Sequence, residues 1–329
     1  MHVLILHDEI PECARTDVAD ALVQAEFIES VLTAMGHSSD RLSFNADLPA
    51  MRHAISSGRP DVVFNLVESV GGEGRLIYLA PALLDSMGIP YAGARTEAMF
   101  LTSGKALTKK WLAANFIPTP AWRDGHGGSR DLPFPARYII KSVWEEASIG
   151  LDDSSIVLAK SAKELAHEID LRRAGLGGEA FAEQFIDGRE FNLSLLSSSI
   201  RVGEMDVLPP AEIEFIDFGP EKPRIVGYAA KWDESSFEYS HTPRRFEFPS
   251  QDGMLLEKLR QYALRCAALV DLRGYARVDF RVDAQGNPWV LEVNANPCLS
   301  PDAGFMAAAT RAGLSPEQVI ERILADTSA

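Results

Sequence analysis

The chain is short of cysteine, of positive charge and of long apolar runs. Its 329 residues contain three cysteines, Cys13, Cys266 and Cys298, too few and too scattered for a disulfide framework or a zinc site. Lys plus Arg total 32 against 47 for Asp plus Glu, a net charge of −15. Duplex nucleic acid is bound through a positive field that releases counterions, and anionic membranes attract basic patches, so neither partner is expected. No stretch approaches the ~18 apolar residues of a membrane-spanning helix. The first apolar run, residues 3–6, reads as a buried strand and not as a signal peptide, so a cytoplasmic setting is expected. Two nucleotide motifs are missing as well. Gly104-Lys105 lacks the upstream glycine of GxxxxGK[ST] and is followed by Ala106, and no GxGxxG follows the first strand. The acidic balance still permits one phosphorylated small molecule, whose site needs only a few local cations.

What is present is ordinary in bulk and specific in detail. Hydrophobic residues are 46% and charged residues 24% of the chain, as in globular proteins, and the length suits two or three domains. Strand and helix signals alternate over the first hundred residues: strand 3–6, helix 18–35, strand 61–66, helix 76–87, strand 89–92. Such alternation implies a parallel sheet covered on both faces. The texture then changes to α+β: helix 105–115, a Gly/Pro-rich loop at 124–135, strands 137–143 and 155–159, and helix 162–172. Strands dominate 181–196, followed by helix 254–270, strands 275–282 and 289–294, and a closing helix 316–325.

The strand pair near the C-terminus carries the most information. Period two puts Tyr275, Arg277, Asp279 and Arg281 on one face, and Ala276, Val278, Phe280 and Val282 on the other. On the second strand Val290, Glu292 and Asn294 share a face, opposite Trp289, Leu291 and Val293. A turn centred between Gln285 and Gly286 sets Asp279 opposite Glu292 and Arg277 opposite Asn294. Like charges directly opposite destabilise a sheet. A hard divalent cation resolves the conflict, because Mg²⁺ takes oxygen ligands and leaves positions for water and phosphate. The alternative is a solvated face on which Arg277 bridges the acids.

These residues resemble the Arg-x-Asp and Glu-x-Asn strands of ATP-grasp enzymes, and within them the D-alanine–D-alanine ligase family, along nearly the whole chain. The resemblance implies an ATP-grasp fold: an N-terminal parallel α/β substrate-binding domain (1–101) and two α+β subdomains (102–187 and 188–329) that sandwich ATP. It implies that Asp279, Glu292 and Asn294 carry Mg²⁺, or Mn²⁺ in its place, and that Arg277 stabilises an oxyanion. SGKALTKKWL resembles the segment whose first lysine, here Lys105, reaches the phosphates. RYIIKSVWEEASIG resembles the strand and phosphate-covering loop, with Lys141 as a second phosphate contact and Ser148 among its small residues. EQFIDGREF resembles the hinge, with Glu183 at the adenine edge, Phe185 and Ile186 beside it and Glu190 on the ribose. YAAKWD resembles a closing loop that bears Lys231. The implied activity is an ATP- and Mg²⁺-dependent carboxylate–amine ligase working through an acylphosphate, with small-molecule substrates, no nucleic acid, no membrane and a homodimer.

Departures from the family pattern fall on the amino-acid pocket. The covering loop reads Trp144-Glu145-Glu146-Ala147-Ser148-Ile149-Gly150, with only Ser148 and Gly150 keeping its Gly/Ser character. Ala147 stands at a family serine, Trp232 at a tyrosine, Cys298 at a glycine and Ala303 at the serine that binds the acceptor carboxylate. The donor-site glutamate has at best an aspartate counterpart, Asp17 or Asp20, with Glu68 and Glu73 as further candidates. Cys298 is either reactive or a small packed residue. His7 is either an exposed loop histidine or a ligand at a strand end. The ATP machinery is spared, so the alternatives to D-alanyl-D-alanine synthesis are another amino-acid or peptide ligase of a specialised pathway, an ATP-binding regulator that has lost ligation, or a scaffold that binds no nucleotide.

Overall fold

In a computed structural model describing residues 1–11, 15–129, 131–144, 147–201 and 203–328, the first third alternates as its apolar runs dictate. Cys13, Glu145, Glu146 and the side chain of Asp17 lie outside the described residues. β1 (His2–Asp8), α1 (Thr16–Ala34), β2 (Ser38–Phe44), α2 (Leu48–Gly58), β3 (Val62–Asn65), α3 (Leu79–Met87) and β4 (Tyr91–Ala92) come in that order. They build a parallel sheet, β2-β1-β3-β4. Period two along β1 sends Val3 and Ile5 into one core with Ile28 and Leu32 of α1, and Leu4 and Leu6 into another with Ile55 and Leu84. β2 and α2 are additions to the sequence reading. β2 is an edge strand that opens on Ser, Ser, Asp and Arg, and its apolar alternation is confined to Leu42 and Phe44, too short to mark a strand. α2 starts where the Asp47 side chain accepts from Ala50 N at 3.0 Å.

The middle of the chain runs α4 (Thr96–Ser103), α5 (Lys105–Ala114), β5 (Trp122–Asp124), β6 (Gly127–Gly128), β7 (Ala136–Ser142), β8 (Ile156–Ala159), α6 (Ala162–Arg172) and β9 (Ala180–Gln184). Its sheet is β6-β5-β9-β7-β8 and its pairings are antiparallel. The Gly/Pro-rich stretch expected as a loop holds β6, which pairs with the end of β5 to make a short hairpin. α6 begins at its Ser161 cap, which accepts from Glu164 N, and buries Leu165 and Ile169.

The last part runs β10 (Arg189–Ser197), β11 (Met205–Val207), β12 (Ala211–Ile213), α7 (Tyr228–Trp232), α8 (Phe237–Ser240), β13 (Arg244–Arg245), α9 (Gly253–Val270), β14 (Tyr275–Val282), β15 (Pro288–Asn294), α10 (Gly304–Arg311) and α11 (Pro316–Ala325). The sheet is β13-β12-β10-β14-β15, with β11 also on β10. Leu259, Ala263 and Cys266 of α9 pack on Phe191, Val278 and Phe280, and Met99 of α4 and Leu112 of α5 join them. Between β9 and β10 the chain passes so close to β14 that a Cβ on Gly188 would lie 2.0 Å from the Val282 carbonyl oxygen. Only glycine allows that hinge path.

The β14–β15 register is Arg277 on Asn294 and Asp279 on Glu292, as the turn position implied. Past that point it shifts: Phe280 pairs with Val290 and Arg281 with Trp289, leaving Leu291 as the extra residue. A bulge moves every later side chain to the opposite face. Val290 therefore joins Val293 in the core. Trp289 lies beside Arg281 on the polar side and donates from Nε1 to Asp283 Oδ2 at 3.1 Å. Both assignments reverse the strict alternation expected from the sequence. Among the described residues, no helix is long and apolar enough to cross a membrane.

Candidate active site

One cleft of about 560 Å³ is lined by residues from all three parts of the chain, among them every phosphate, nucleotide, metal and oxyanion candidate named from the sequence, while Glu73 and His7 do not line it. On its floor, Asp279 of β14 faces Glu292 of β15. Asp279 accepts two hydrogen bonds from Arg277, at 2.7 and 2.9 Å, and one from Asn192 Nδ2 at 2.8 Å. Arg277 Nη2 is also 3.7 Å from Glu292 Oε1. The arginine thus bridges the two acids, as the alternative reading has it. Burial, with Glu292 adding to it, pushes Asp279 up to about 6 against the pull of Arg277. Glu292, despite its burial, is held at about 2 by Lys105, Lys231 and Arg277. Asn294 is oriented by accepting from Asn296 N at 2.9 Å.

This donor set fits a hard divalent cation. It offers two carboxylates and an amide oxygen on one face, one carboxyl driven toward its neutral form by burial and crowded negative charge. Among the described residues, no cluster of three or more His, Cys, Asp and Glu side chains could hold a metal. The two carboxylates with Asn294 are the set the cleft offers.

Lys105 opens α5 and is almost fully buried, its N–H donating to Val143 O at 3.1 Å. Lys141 on β7 reaches Glu183 Oε1 at 2.5 Å, and Lys109, one helical turn after Lys105, reaches Glu183 Oε2 at 2.5 Å. Glu183 is 1% exposed. Burial alone would raise its carboxyl, but the two ammonium groups outweigh it and hold it below the ordinary range. Its oxygens are therefore taken by lysines in the cleft wall. Glu190 meets Arg281 Nη2 at 2.7 Å. Phe185 lies under the Arg137 guanidinium, 4.7 Å from ring centre to carbon, beside the buried Ile186.

Two loops meet at the cleft. Ser148 Oγ donates to Val226 O at 3.0 Å, Trp232 Nε1 to Ala147 O at 3.0 Å, and Tyr228 N to Leu151 O at 3.0 Å. Lys222 joins Asp153 at 3.0 Å and Glu238 at 2.6 Å. Ala147 and Ser148 both have left-handed backbone, φ 57° and 61°, costly for L-residues and sustained here by those bonds. Lys231 borders the open cleft, yet the protein packed around it, together with Arg277, pulls its pKa down against Glu292 and Asp279.

At the other end, residues of α1 and of the turn after β3 meet the connection between β15 and α10. Asp20 accepts from Ser300 Oγ at 2.9 Å and from Cys298 Sγ at 3.0 Å, and Gln24 reaches Glu68 at 3.4 Å. Asp8 accepts from Glu68 N, Ser69 N and Ser69 Oγ, fixing the turn that presents Glu68. Glu73 instead pairs with Arg75 at 3.1 Å. His7, read from sequence chiefly as an exposed loop histidine, is buried in β1, with Nδ1 2.7 Å from Asp8 O, because the strand runs two residues past its apolar run. Burial, reinforced by Asp20 and Glu68, pushes the Cys298 thiol far above the usual range. A protonated thiol is a poor nucleophile. Iodoacetamide at pH 8 is therefore expected to leave Cys298 unmodified in the folded protein and to label it after unfolding, read by peptide mapping. Rapid labelling of the folded protein would contradict this.

Four participants escaped the sequence reading. Lys109 was visible in principle, four residues after Lys105 on one helix face. Asn192 and Arg281 act through pairing partners that no local pattern reveals. Trp144 packs its ring over Gly104 and leaves its buried Nε1 without an acceptor among the described residues.

Comparison with known proteins agrees with this geometry. The family profile described as D-ala D-ala ligase C-terminus matches residues 129–325. The chain is 30% identical to the uncharacterized protein y4sG of Sinorhizobium fredii over 312 residues, covering 93% of this chain and 86% of that one. It is 29% identical to a D-alanine–D-alanine ligase of a Synechococcus strain over 309 residues, covering 93% and 88%. Among solved structures, the D-alanine–D-alanine ligase of Bacillus anthracis complexed with ATP superposes with a TM-score of 0.70 at 19% identity, over 100% of this chain and 97% of that one. D-alanyl-alanine synthetase A of Vibrio cholerae gives 0.74 at 18% identity, over 99% and 98%. At such identities the structures show a shared fold, and the profile with the 30% relative shows kinship. The chain belongs to the D-alanine–D-alanine ligase family, ATP-dependent ligases that form carbon–nitrogen bonds on the ATP-grasp fold.

Proposed function

We propose that the protein joins an amino-acid carboxylate donor to an amino-acid amine acceptor, using ATP, through an acylphosphate. The observation that carries this reading is the convergence of Lys105, Lys141, Lys231 and Arg277 on the Asp279–Glu292–Asn294 face within one cleft. Phosphoryl transfer depends on positioning and charge stabilisation, and those cations are the equipment it needs. Segments 1–101, 102–187 and 188–329 act as the three bodies that close on the nucleotide.

In this reading Phe185 and Ile186 wall the adenine and Glu190 takes the ribose. Glu183 holds Lys141, and through it the base edge. Lys105 and Lys141 bind phosphate oxygens. Asp279, Glu292 and Asn294 would hold Mg²⁺, which when bound neutralises phosphate charge as a Lewis acid. A donor carboxylate oxygen attacks the γ-phosphorus as the bond to the β-phosphate oxygen breaks, and ADP leaves. The acceptor amine then attacks the acyl carbon, Arg277 faces the oxyanion, and phosphate departs as the amine loses its proton. The loops carrying Ser148 and Lys231 exclude water from the acylphosphate. Asp20 and Glu68, both carboxylates lining the far end, suit the donor ammonium.

D-alanine is the first donor to test. By the resemblance Ala147, Trp232, Cys298 and Ala303 fall on positions of the amino-acid pocket, which favours a pair other than two D-alanines. The test supplies ATP, Mg²⁺ and single D- and L-amino acids with hydroxylamine, which traps an acylphosphate as a hydroxamate. Hydroxamate and released phosphate in equal amounts are the expected result. ATP-dependent thermal stabilisation with no hydroxamate from any donor would instead identify an ATP-binding regulator.

A further inference from the structure

Arg244 and Arg245 are neighbours on β13 with opposite surroundings. Arg245 meets Glu212, with Glu214 at 3.4 Å. Arg244, on the alternate face of the strand, lines the cleft. Among the described residues, no carboxylate lies within ion-pair distance of it, and its one hydrogen bond runs from Nη1 to the Asp302 backbone oxygen at 3.2 Å. A guanidinium carries five N–H donors in a planar fork suited to carboxylates, so most of this one is uncommitted.

The neighbouring backbone makes room for that fork. A Cβ on Gly304 would lie 3.2 Å from Arg244 Nε, so a side chain there would crowd the guanidinium at the start of α10. Ala303, the N-cap of α10, brings no polar side chain. The titratable groups that face Arg244 are Arg277, Asp302, Tyr239 and Cys298. Solvent reaches Arg244 through the cleft, yet the surrounding protein and the like charge of Arg277 both disfavour its cation. Two guanidinium groups at one end of a cleft repel until an anion lies between them.

We propose that Arg244 selects the acceptor: it binds a free carboxylate on the molecule whose amine is ligated, and so excludes amines that lack one. This rests on the ligase reading above. The assignment to the acceptor follows from charge, since Asp20 and Glu68 leave the donor end anionic and the donor's own carboxylate is the reacting group.

The test compares Arg244→Gln and Arg244→Lys with the unaltered protein, using D-alanine, other amino acids and their carboxamides as acceptors. A charged hydrogen-bonded contact predicts a preference of about 10- to 100-fold for acid over amide in the unaltered protein. Arg244→Gln removes that preference through KM for the acceptor, and Arg244→Lys, with charge but no fork, keeps part of it. Hydroxylamine carries no carboxylate, so hydroxamate formation by Arg244→Gln stays within about twofold of the unaltered rate. Equal use of acids and amides by the unaltered protein overturns the proposal, as does an equal loss of hydroxamate formation in Arg244→Gln. Absence of hydroxamate from the unaltered protein removes the ligase reading itself, a separate failure.

Discussion

Glu292→Gln is expected to lower ATP-dependent phosphate release by about 10³-fold, the scale of several kcal/mol of charge stabilisation at a phosphoryl oxygen. The substitution keeps shape and hydrogen-bonding atoms but removes the carboxylate that Lys105, Lys231 and Arg277 hold ionised at about 2. Its side chain is 25% exposed toward the cleft, so the fold should survive, and thermal melting without nucleotide should match the unaltered protein. Added ATP with Mg²⁺ should stabilise the unaltered protein and fail to stabilise the variant. Retention of more than about a tenth of the activity, on the same scale, would show that Glu292 is not part of the phosphate machinery.

Lys109→Met is expected to destabilise the fold by about 3–5 kcal/mol, the usual cost of removing one partner from a buried ion pair. Lys109 is fully buried, and it and Lys141 hold the two oxygens of Glu183. Without Lys109 the carboxylate keeps one partner, and the Thr119 hydroxyl loses the ammonium that donates to it. Urea denaturation reads the loss as a lower midpoint at unchanged slope. The pH dependence supplies an independent check. The Glu183 pKa is depressed in the folded state, so its stabilisation is complete above the unfolded value of about 4.3 and disappears as pH falls through the lower folded value. That acid-range loss should be weaker in Lys109→Met. An unchanged midpoint and an unchanged acid profile would show that Lys141 alone satisfies Glu183.

Much of the fold was legible because its signals are local. α6 and α11 occupy the stretches read from the sequence, each begun by a serine cap, Ser161 and Ser315, the latter with Pro316 in the first turn. β14 follows its alternation from Tyr275 to Val282. By contrast β2 has only Leu42 and Phe44 as an apolar period, α4 runs into α5 with a single glycine between them, and α10 is a short alanine-rich helix behind a turn. The face assignments of Trp289 and Val290 failed because a bulge is a property of the strand pair and leaves no mark in either strand alone.

The site divides in the same way. Lys105, Lys141, Lys231, Arg277, Asp279, Glu292 and Asn294 could be nominated from spacing and resemblance, since motif residues keep their neighbours. Their partners could not. Glu183 between two lysines, Asn192 on Asp279, Cys298 on Asp20 and Arg244 over Gly304 join residues that are mostly tens to hundreds of positions apart. By itself the sequence determined the fold class, the family and the cations that face a nucleotide, because each is written in short-range pattern. Tertiary structure alone decided which charges are neutralised, which thiol is quenched and which arginine is left for a ligand. Pairing energies depend on distance and burial, and neither exists until the chain has folded.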